Sequence, residues 1–315
     1  MSVTALDYEP WKGTVAVTGP VTGFTVPLRT REATGRITVF VNEPGTQLFV
    51  DGNPQGIKSI TGQPITISGL KQGNYEIRAV RDGFDEWKGN VAVTAGTSKT
   101  LNITMRSRLD PEVVLIPSGE FTMGHDKGPK ESRPEHPVVV GTFEIAQVEV
   151  TNRIYKAFLD ETNRQPPLAP GWKDRSLVSG YEEKPVTYVT WEDTQLFIRW
   201  LSQKTGKDYR LPTEAEWERA MRSAADRIHY VGRVWEWCAD WYDQNQYKKG
   251  QKMNPKGPDK GQKMKVQGKE GETRVIRGGV FKFNELNENV FVRDRWVATR
   301  GRSDIGFRLV RDVKR

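Results

Sequence analysis

Hydrophobic and polar residues alternate along the chain up to Met105. The period-two stretches are Ile37-Thr-Val-Phe-Val41, Gln47-Leu-Phe-Val50, Ile65-Thr-Ile67, Tyr75-Glu-Ile-Arg-Ala-Val80, Val91-Ala-Val93 and Leu101-Asn-Ile-Thr-Met105. That pattern gives each strand one face for a core and one for water. Turn-forming groups punctuate the stretches: Glu43-Pro-Gly45, Asp51-Gly52, Lys71-Gln-Gly-Asn74 and Asp82-Gly83. Short strands at this spacing predict a small all-β sandwich.

From Pro111 the period changes, and three amphipathic helices are predicted. The first opens at Thr151 and sets Ile154, Phe158 and Leu159 on one face. The second starts near Trp191, turns Trp191, Phe197, Ile198 and Leu201 inward, and stops at Gly206. The third opens on Thr213-Glu-Ala-Glu216, a capping box in which the first and last residues satisfy each other's backbone donors. Short strands and long loops surround these helices, so the second part reads as α+β. The fold class is therefore multidomain, all-β followed by α+β.

An internal repeat refines the first part. Tyr8-Glu-Pro-Trp-Lys-Gly-Thr-Val-Ala-Val-Thr18 recurs as Phe84-Asp-Glu-Trp-Lys-Gly-Asn-Val-Ala-Val-Thr94. The first copy lacks whatever precedes its Trp-Lys-Gly element, and a strand without a sheet leaves backbone groups unpaired. Residues 1–35 are accordingly expected to be a partial repeat, or leading strands that pair onto the intact copy. That intact copy, at 36–107, resembles the PEGA module through Val41-Asn-Glu-Pro-Gly-Thr-Gln-Leu-Phe-Val-Asp-Gly52, Gly69-Leu-Lys-Gln-Gly-Asn-Tyr75 and Arg81-Asp-Gly-Phe84. The resemblance implies a β spacer without chemistry of its own.

Residues 108–315 carry a longer series of ordered motifs. They begin with Leu115-Ile-Pro-Ser-Gly-Glu-Phe-Thr-Met-Gly124, Glu135-His-Pro-Val138 and Glu149-Val-Thr-Asn152. Tyr209-Arg-Leu-Pro-Thr-Glu-Ala-Glu-Trp-Glu218, Val234-Trp-Glu-Trp-Cys238 and Asn254-Pro-Lys-Gly-Pro258 follow. Arg274-Val-Ile-Arg-Gly-Gly279 and Gly306-Phe-Arg308 close the series. This set resembles the formylglycine-generating-enzyme (sulfatase-modifying factor) family, which implies a C-type-lectin-like fold. The enzymes of that family place a cysteine pair near the C-terminus for copper, and related iron enzymes use histidines. Here Cys238 is the one cysteine, so soft thiolate ligands are missing. His125, His136 and His229 are isolated, with no helical pair among them. Only Ala224 to Arg233 joins the third helix to Trp235, where the family has a longer loop. The expectation is a protein that is not an enzyme.

The segment 280–304 keeps its framing motifs but has an unusual interior, rich in aromatics and arginines. In this it resembles the variable proteins of diversity-generating retroelements, which implies a diversified ligand-binding patch. Aromatic and arginine side chains supply most binding energy at interfaces. The candidate ligand-binding residues are Phe283, Asn287, Phe291, Arg293, Asp294, Trp296, Thr299, Arg300 and Arg302. Phe281, Val290 and Val292 are expected to point inward, and Arg277, Gly278 and Gly279 to fix the backbone.

Charge and composition narrow the alternatives. The net charge is +8, and lysines crowd 247–269, a stretch expected to be a solvated loop. A basic scaffold for nucleic acid or another anionic polymer is one rival, disfavoured because that stretch lacks a periodic pattern. An enzyme with an altered site is the other. No cofactor is expected, although a structural calcium held by backbone carbonyls would leave little trace in a sequence. The partner implied is a protein or other macromolecular ligand. No apolar run is long enough to span a bilayer, and Met1 to Gly13 shows no leader pattern. The chain as given thus reads as cytoplasmic, or as a surface or envelope protein if its native N-terminus lies further upstream.

Overall fold

The structure is a computed structural model that describes residues 2–4, 8–14, 16, 19–20, 23, 25–29, 33–229, 233–279 and 290–313. The chain divides into two compact units, Met1–Arg108 and Leu109–Arg315.

In the first unit two short strands, β1 (Ser2–Val3) and β2 (Trp11–Lys12), pair with each other. Among the described residues they join neither sheet of the sandwich, so the expected pairing onto the intact copy is not seen. That sandwich holds β3 (Gly35–Val41), β4 (Gln47–Val50), β5 (Asn53–Lys58), β6 (Ile65–Leu70), β7 (Gly73–Val80), β8 (Trp87–Val93) and β9 (Ser98–Ile103). One sheet has the order β6-β3-β9 and the other β5-β4-β7-β8. The inward rows are those the alternation predicts: Ile37 and Val39 from one sheet meet Leu48, Ile77 and Ala79 from the other, all fully buried. Strand β5 has no hydrophobic alternation. It carries Pro54 and Gly56 and exposes almost every residue, which an edge strand tolerates because one of its sides needs no partner.

The second unit opens with β10 (Val113–Ile116), β11 (Gly119–Met123), β12 (His136–Val140) and β13 (Phe143–Ala146). Helix α1 (Asn152–Thr162) is capped by Thr151, whose side chain accepts from the Ile154 amide. A two-residue hairpin, β14 (Trp172–Lys173) with β15 (Ser176–Leu177), precedes α2 (Trp191–Thr205), which ends at Gly206 in the left-handed region. Strand β16 (Tyr209–Arg210) then leads to α3 (Glu214–Ser223), where Thr213 and Glu216 form the predicted capping box. The second helix turns Phe197, Ile198, Trp200 and Leu201 inward, while Trp191 at its first turn stays half-exposed.

The remaining strands are β17 (Trp235–Trp241), β18 (Lys263–Val266), β19 (Lys269–Arg277), β20 (Arg293–Val297), β21 (Ile305–Phe307) and β22 (Val310–Asp312). Sheet β10-β13-β22-β16 brings the last strand back beside the first ones. A second sheet runs β18-β19-β17-β21, and β20 also pairs with β19. The lysine-rich stretch is therefore not all loop: Lys263-Met-Lys-Val266 alternates and folds back through Gln267 and Gly268, both at positive φ. Two adjacent residues in that region make the tight turn whose twist matches a hairpin. No helix among the described residues is long and apolar enough to cross a membrane.

Candidate functional site

The frame of the C-terminal segment is built on buried charge. Arg277, at the end of β19, is fully buried and donates from Nη1 to Glu214 (2.9 Å) and from Nη2 to Glu218 (2.7 Å). Its Nη2 also reaches the Val290 carbonyl at 2.5 Å, so one flank of 280–289 holds the other. Gly278 and Gly279 follow at φ 94° and 69°, a region that L side chains rarely adopt. A Cβ on Gly279 would also lie 2.9 Å from the Trp235 ring. Further along, Arg308 is fully buried and engages Glu236 through Nε (3.0 Å) and Nη2 (3.1 Å). Trp217 donates to the same carboxylate at 2.9 Å.

The alternation of β20 divides the candidate residues between two faces. Arg293 points into the unit and is buried, so its expected place on a ligand-binding surface is corrected. It donates to both oxygens of Glu214, at 2.6 and 2.8 Å, and lies over the Tyr242 and Tyr247 rings. Burial alone would lower its pKa, but the Glu214 carboxylate raises it and keeps the cation. Burial likewise pushes Glu214 upward, and Arg293 with Arg277 holds it below its usual range. A charge so completely matched has little left for a ligand.

Asp294 and Trp296 occupy the alternate positions. Asp294 is exposed and Trp296 half-buried, with the Arg302 guanidinium 4.7 Å from its ring centroid. Arg302 is steadied by Asp304, at 2.5 Å. Thr299 is exposed in the turn after β20, and Arg300 beside it donates to Gln267 on the β18–β19 turn at 2.9 Å. Phe291 sits apart from this group, half-buried, with its ring 4.6 Å from that of His125 and its carbonyl accepting from Ser132. Val290 is buried and Val292 half-buried. Phe281, Phe283 and Asn287 lie outside the described residues. Asp294, Trp296, Thr299, Arg300 and Arg302 thus form the candidate face, and Arg293 is its foundation.

Sequence reasoning missed Arg274. It is the direct antiparallel partner of Trp296 and lies between two nearly parallel indoles, 3.7 Å from the Trp191 centroid and 3.4 Å from that of Trp241. Its position inside the framing motif gave it the look of scaffold. Also missed was a cleft of about 700 Å³ whose lining includes Trp191, Gln195, Ala239, Asn254 and Lys256. Its size lies in the range of ligand pockets. Asn254 belongs to the Asn-Pro-Lys-Gly-Pro motif and shapes this cleft, because its side chain accepts from the Gly141 amide at 2.8 Å.

The residues do not fit the copper centre that the family's enzymes imply. Cys238 is fully buried, burial pushes its thiol well above the usual range, and its carbonyl is taken by the Trp191 indole. The histidines are engaged separately: His125 with Phe291 and the Lys127 amide, and His136 with the Tyr247 ring. Among the described residues no three His, Cys, Asp or Glu side chains converge as a ligand set. Two carboxyls are raised to about 7, Glu149 and Asp240, each chiefly by burial. Neither lines the large cleft.

With this geometry in hand, comparison with known proteins gives two families. The sulfatase-modifying factor enzyme 1-like domain matches residues 99–231 and 223–313, and the PEGA domain matches 34–108. The formylglycine-generating enzyme of Streptomyces coelicolor is 24% identical over 295 residues, covering 64% of this chain and 89% of that protein. A protein of Chlamydia pneumoniae named serine/threonine-protein kinase pkn1 is 26% identical over 251 residues, covering 64% of this chain. The match spans only 38% of that kinase's length. Among solved structures, Treponema denticola variable protein 1 superposes with a TM-score of 0.50 at 20% identity, covering 64% of this chain and 95% of that one. At that identity the likeness is one of fold, the C-type-lectin-like fold.

Proposed function

The chain belongs to the sulfatase-modifying factor enzyme 1-like domain family, and from that premise we propose that its second unit is a non-catalytic binding domain for a macromolecular ligand, specifically a protein. The observation that carries this reading is the division of β20. Its inner row, Arg293 and Val297, is locked into the core, while Trp296, half-buried and packed against the edge of that core, carries the Arg302 guanidinium over its ring as a preset aromatic and cationic platform. Interfaces draw most of their energy from such side chains, provided that a rigid support spares them an ordering cost. The turn holding Thr299 and Arg300 extends the same face.

Support for a role without catalysis comes from Cys238, whose enclosed thiol has neither the ionisation nor the access that a nucleophile or copper ligand needs. We further propose that 280–304 is the segment that varies between close relatives, as in the variable proteins of diversity-generating retroelements. The fold shared with a variable protein of Treponema denticola supports that assignment. The altered-enzyme reading draws on Glu149 and Asp240, whose carboxyls titrate near neutrality. Both are enclosed by the core, which favours the binding reading.

Sequencing this gene and its neighbourhood across related isolates tests the variable-segment proposal. The expected result is substitutions concentrated in codons 280–304, at positions that are adenines in a nearby template repeat, together with a reverse transcriptase gene. Uniform conservation of those codons, with no such repeat, would overturn it.

A further inference from the structure

A second groove, of about 470 Å³, lies between two short 3-10 turns of the second unit, Lys130–Ser132 and Gln246–Lys249, and the chain beside each. One segment supplies Lys130, Glu131 and Arg133 to its lining, and the other supplies Gln244, Asn245 and Lys248. Its size lies in the range of ligand pockets. A single buried guanidinium ties the two segments together. Arg293 donates from Nη1 to the Glu131 carbonyl at 3.3 Å and to the Asp243 carbonyl at 3.2 Å. Ser132 Oγ donates to the Phe291 carbonyl at 2.7 Å, so the first segment is also fixed to the residues that lead into β20.

The charges that line this groove do not cancel. Lys130, Arg133 and Lys248 are three cations against the one carboxylate of Glu131. All three are exposed, and none has an ion pair among the described residues. The neighbouring Lys249 gives the contrast, because Asp243 takes it at 2.6 Å. Arg133 is the best oriented of the three: its Nε donates to the Gly128 carbonyl at 2.7 Å, which fixes the guanidinium. Its terminal nitrogens have no protein partner among the described residues. An excess of one charge in a groove concentrates ligands of the other.

We propose that this groove receives an acidic segment of a protein ligand, its carboxylates shared among Arg133, Lys130 and Lys248. The inference rests on the reading of the second unit as a protein-binding domain and names the charge of the partner. A guanidinium with its terminal nitrogens free matches a carboxylate at two points, and the ammonium groups add attraction without fixed geometry. A nucleic acid fits less well, because no residue lining the groove carries an aromatic ring on which a base could stack.

The test is fluorescence anisotropy of a labelled hexaglutamate peptide titrated with the full chain at low salt. Arg133→Gln and Lys248→Gln are each expected to weaken binding about threefold, and the two together about tenfold. Glu131→Gln is expected to strengthen it about twofold, because that carboxylate opposes the ligand. A damaged fold would not produce that sign. Lys265→Gln, on the β18–β19 hairpin, removes the same charge away from the groove and leaves binding unchanged. Equal binding by wild type and the double variant overturns the assignment, as does no measurable binding by wild type. An equal loss in Lys265→Gln and Lys248→Gln also overturns it, since net charge alone would then be responsible. So does tighter binding of an oligothymidylate that the groove variants weaken. Weakening in the groove variants with Arg302→Ala unaffected upholds the groove, even where the Trp296 platform fails its own test. Weakening in Arg302→Ala alone counts against the groove and leaves the platform standing.

Discussion

Arg293 and Glu214 form a two-point ion pair beneath the C-terminal face, with Nε to Oε1 at 2.6 Å and Nη2 to Oε2 at 2.8 Å. Both side chains are shielded from solvent, at 0% and 5% exposure. Glu214 is also the partner of Arg277, so one carboxylate ties the first turn of α3 to β19 and β20 together. The strand that presents Asp294 and Trp296 is thereby fixed to the helix behind it.

Arg293→Ala is expected to destabilise the second unit by about 3 kcal/mol, the low end for breaking a buried pair. Glu214 keeps Arg277 as a partner, which limits the loss. Urea unfolding followed by tryptophan fluorescence measures it. A shift within the range of surface substitutions would mean that the pair does not support the strand.

Removing charge from the candidate face should leave stability almost intact. Arg300→Ala and Arg302→Ala each remove a partly exposed contact, to Gln267 and to the Trp296 ring respectively. The expected loss is about 1 kcal/mol or less for each. The same urea transition checks this, and a loss as large as that of Arg293→Ala would place these arginines with the scaffold.

Glu149 gives the unit a specific pH dependence. Glu236 takes Arg308 at two points, leaving Glu149 3.7 Å from that guanidinium, and its own oxygens have no hydrogen-bond partner among the described residues. Burial raises its pKa from 4.5 to about 7. Between those values the folded state holds a proton that the unfolded state has released, so stability falls as pH rises through that window and levels off above it. The loss from this group is about 3 kcal/mol. Asp240, raised from 3.8 to about 7 chiefly by burial, adds in the same direction. Glu149→Gln should therefore raise the urea midpoint at pH 8 and barely change it at pH 5. A lower midpoint at pH 8 would show that the ionised carboxylate stabilises the fold through Arg308.

Cys238 should resist thiol reagents. Its side chain is fully buried and burial holds the thiol protonated. Ellman's reagent is expected to react with the native chain no faster than the unit unfolds, and fully in denaturant. Rapid reaction of the native protein would reopen the case for thiol chemistry.

The elements that the sequence made legible are those with local causes. Thr151, Thr213 and Gly206 mark helix ends through contacts a few residues away, and the sandwich rows follow from period two. Arg293 was not legible as core, because its partner Glu214 lies far away in sequence and a lone arginine is normally at the surface. Alternation along Arg293-Asp-Arg-Trp-Val297 did contain the signal, since Arg293 and Trp296 fall on opposite faces. Arg274 was hidden for a different reason: its two indoles come from α2 and β17, which only the fold brings to β19. The acids of the large cleft, Glu216 and Asp312, likewise come together only through Arg210, which contacts both.

The face of Trp296, Arg300 and Arg302 is proposed to bind a macromolecule without catalysis. The most direct measurement is surface plasmon resonance with proteins or peptides selected on the wild-type chain from a displayed library. Each is compared on wild type and on the Trp296→Ala, Arg300→Ala, Arg302→Ala triple variant. Binding is expected to weaken about tenfold or more on the variant while the fold persists by circular dichroism. Selected ligands that bind wild type and variant equally would contradict it.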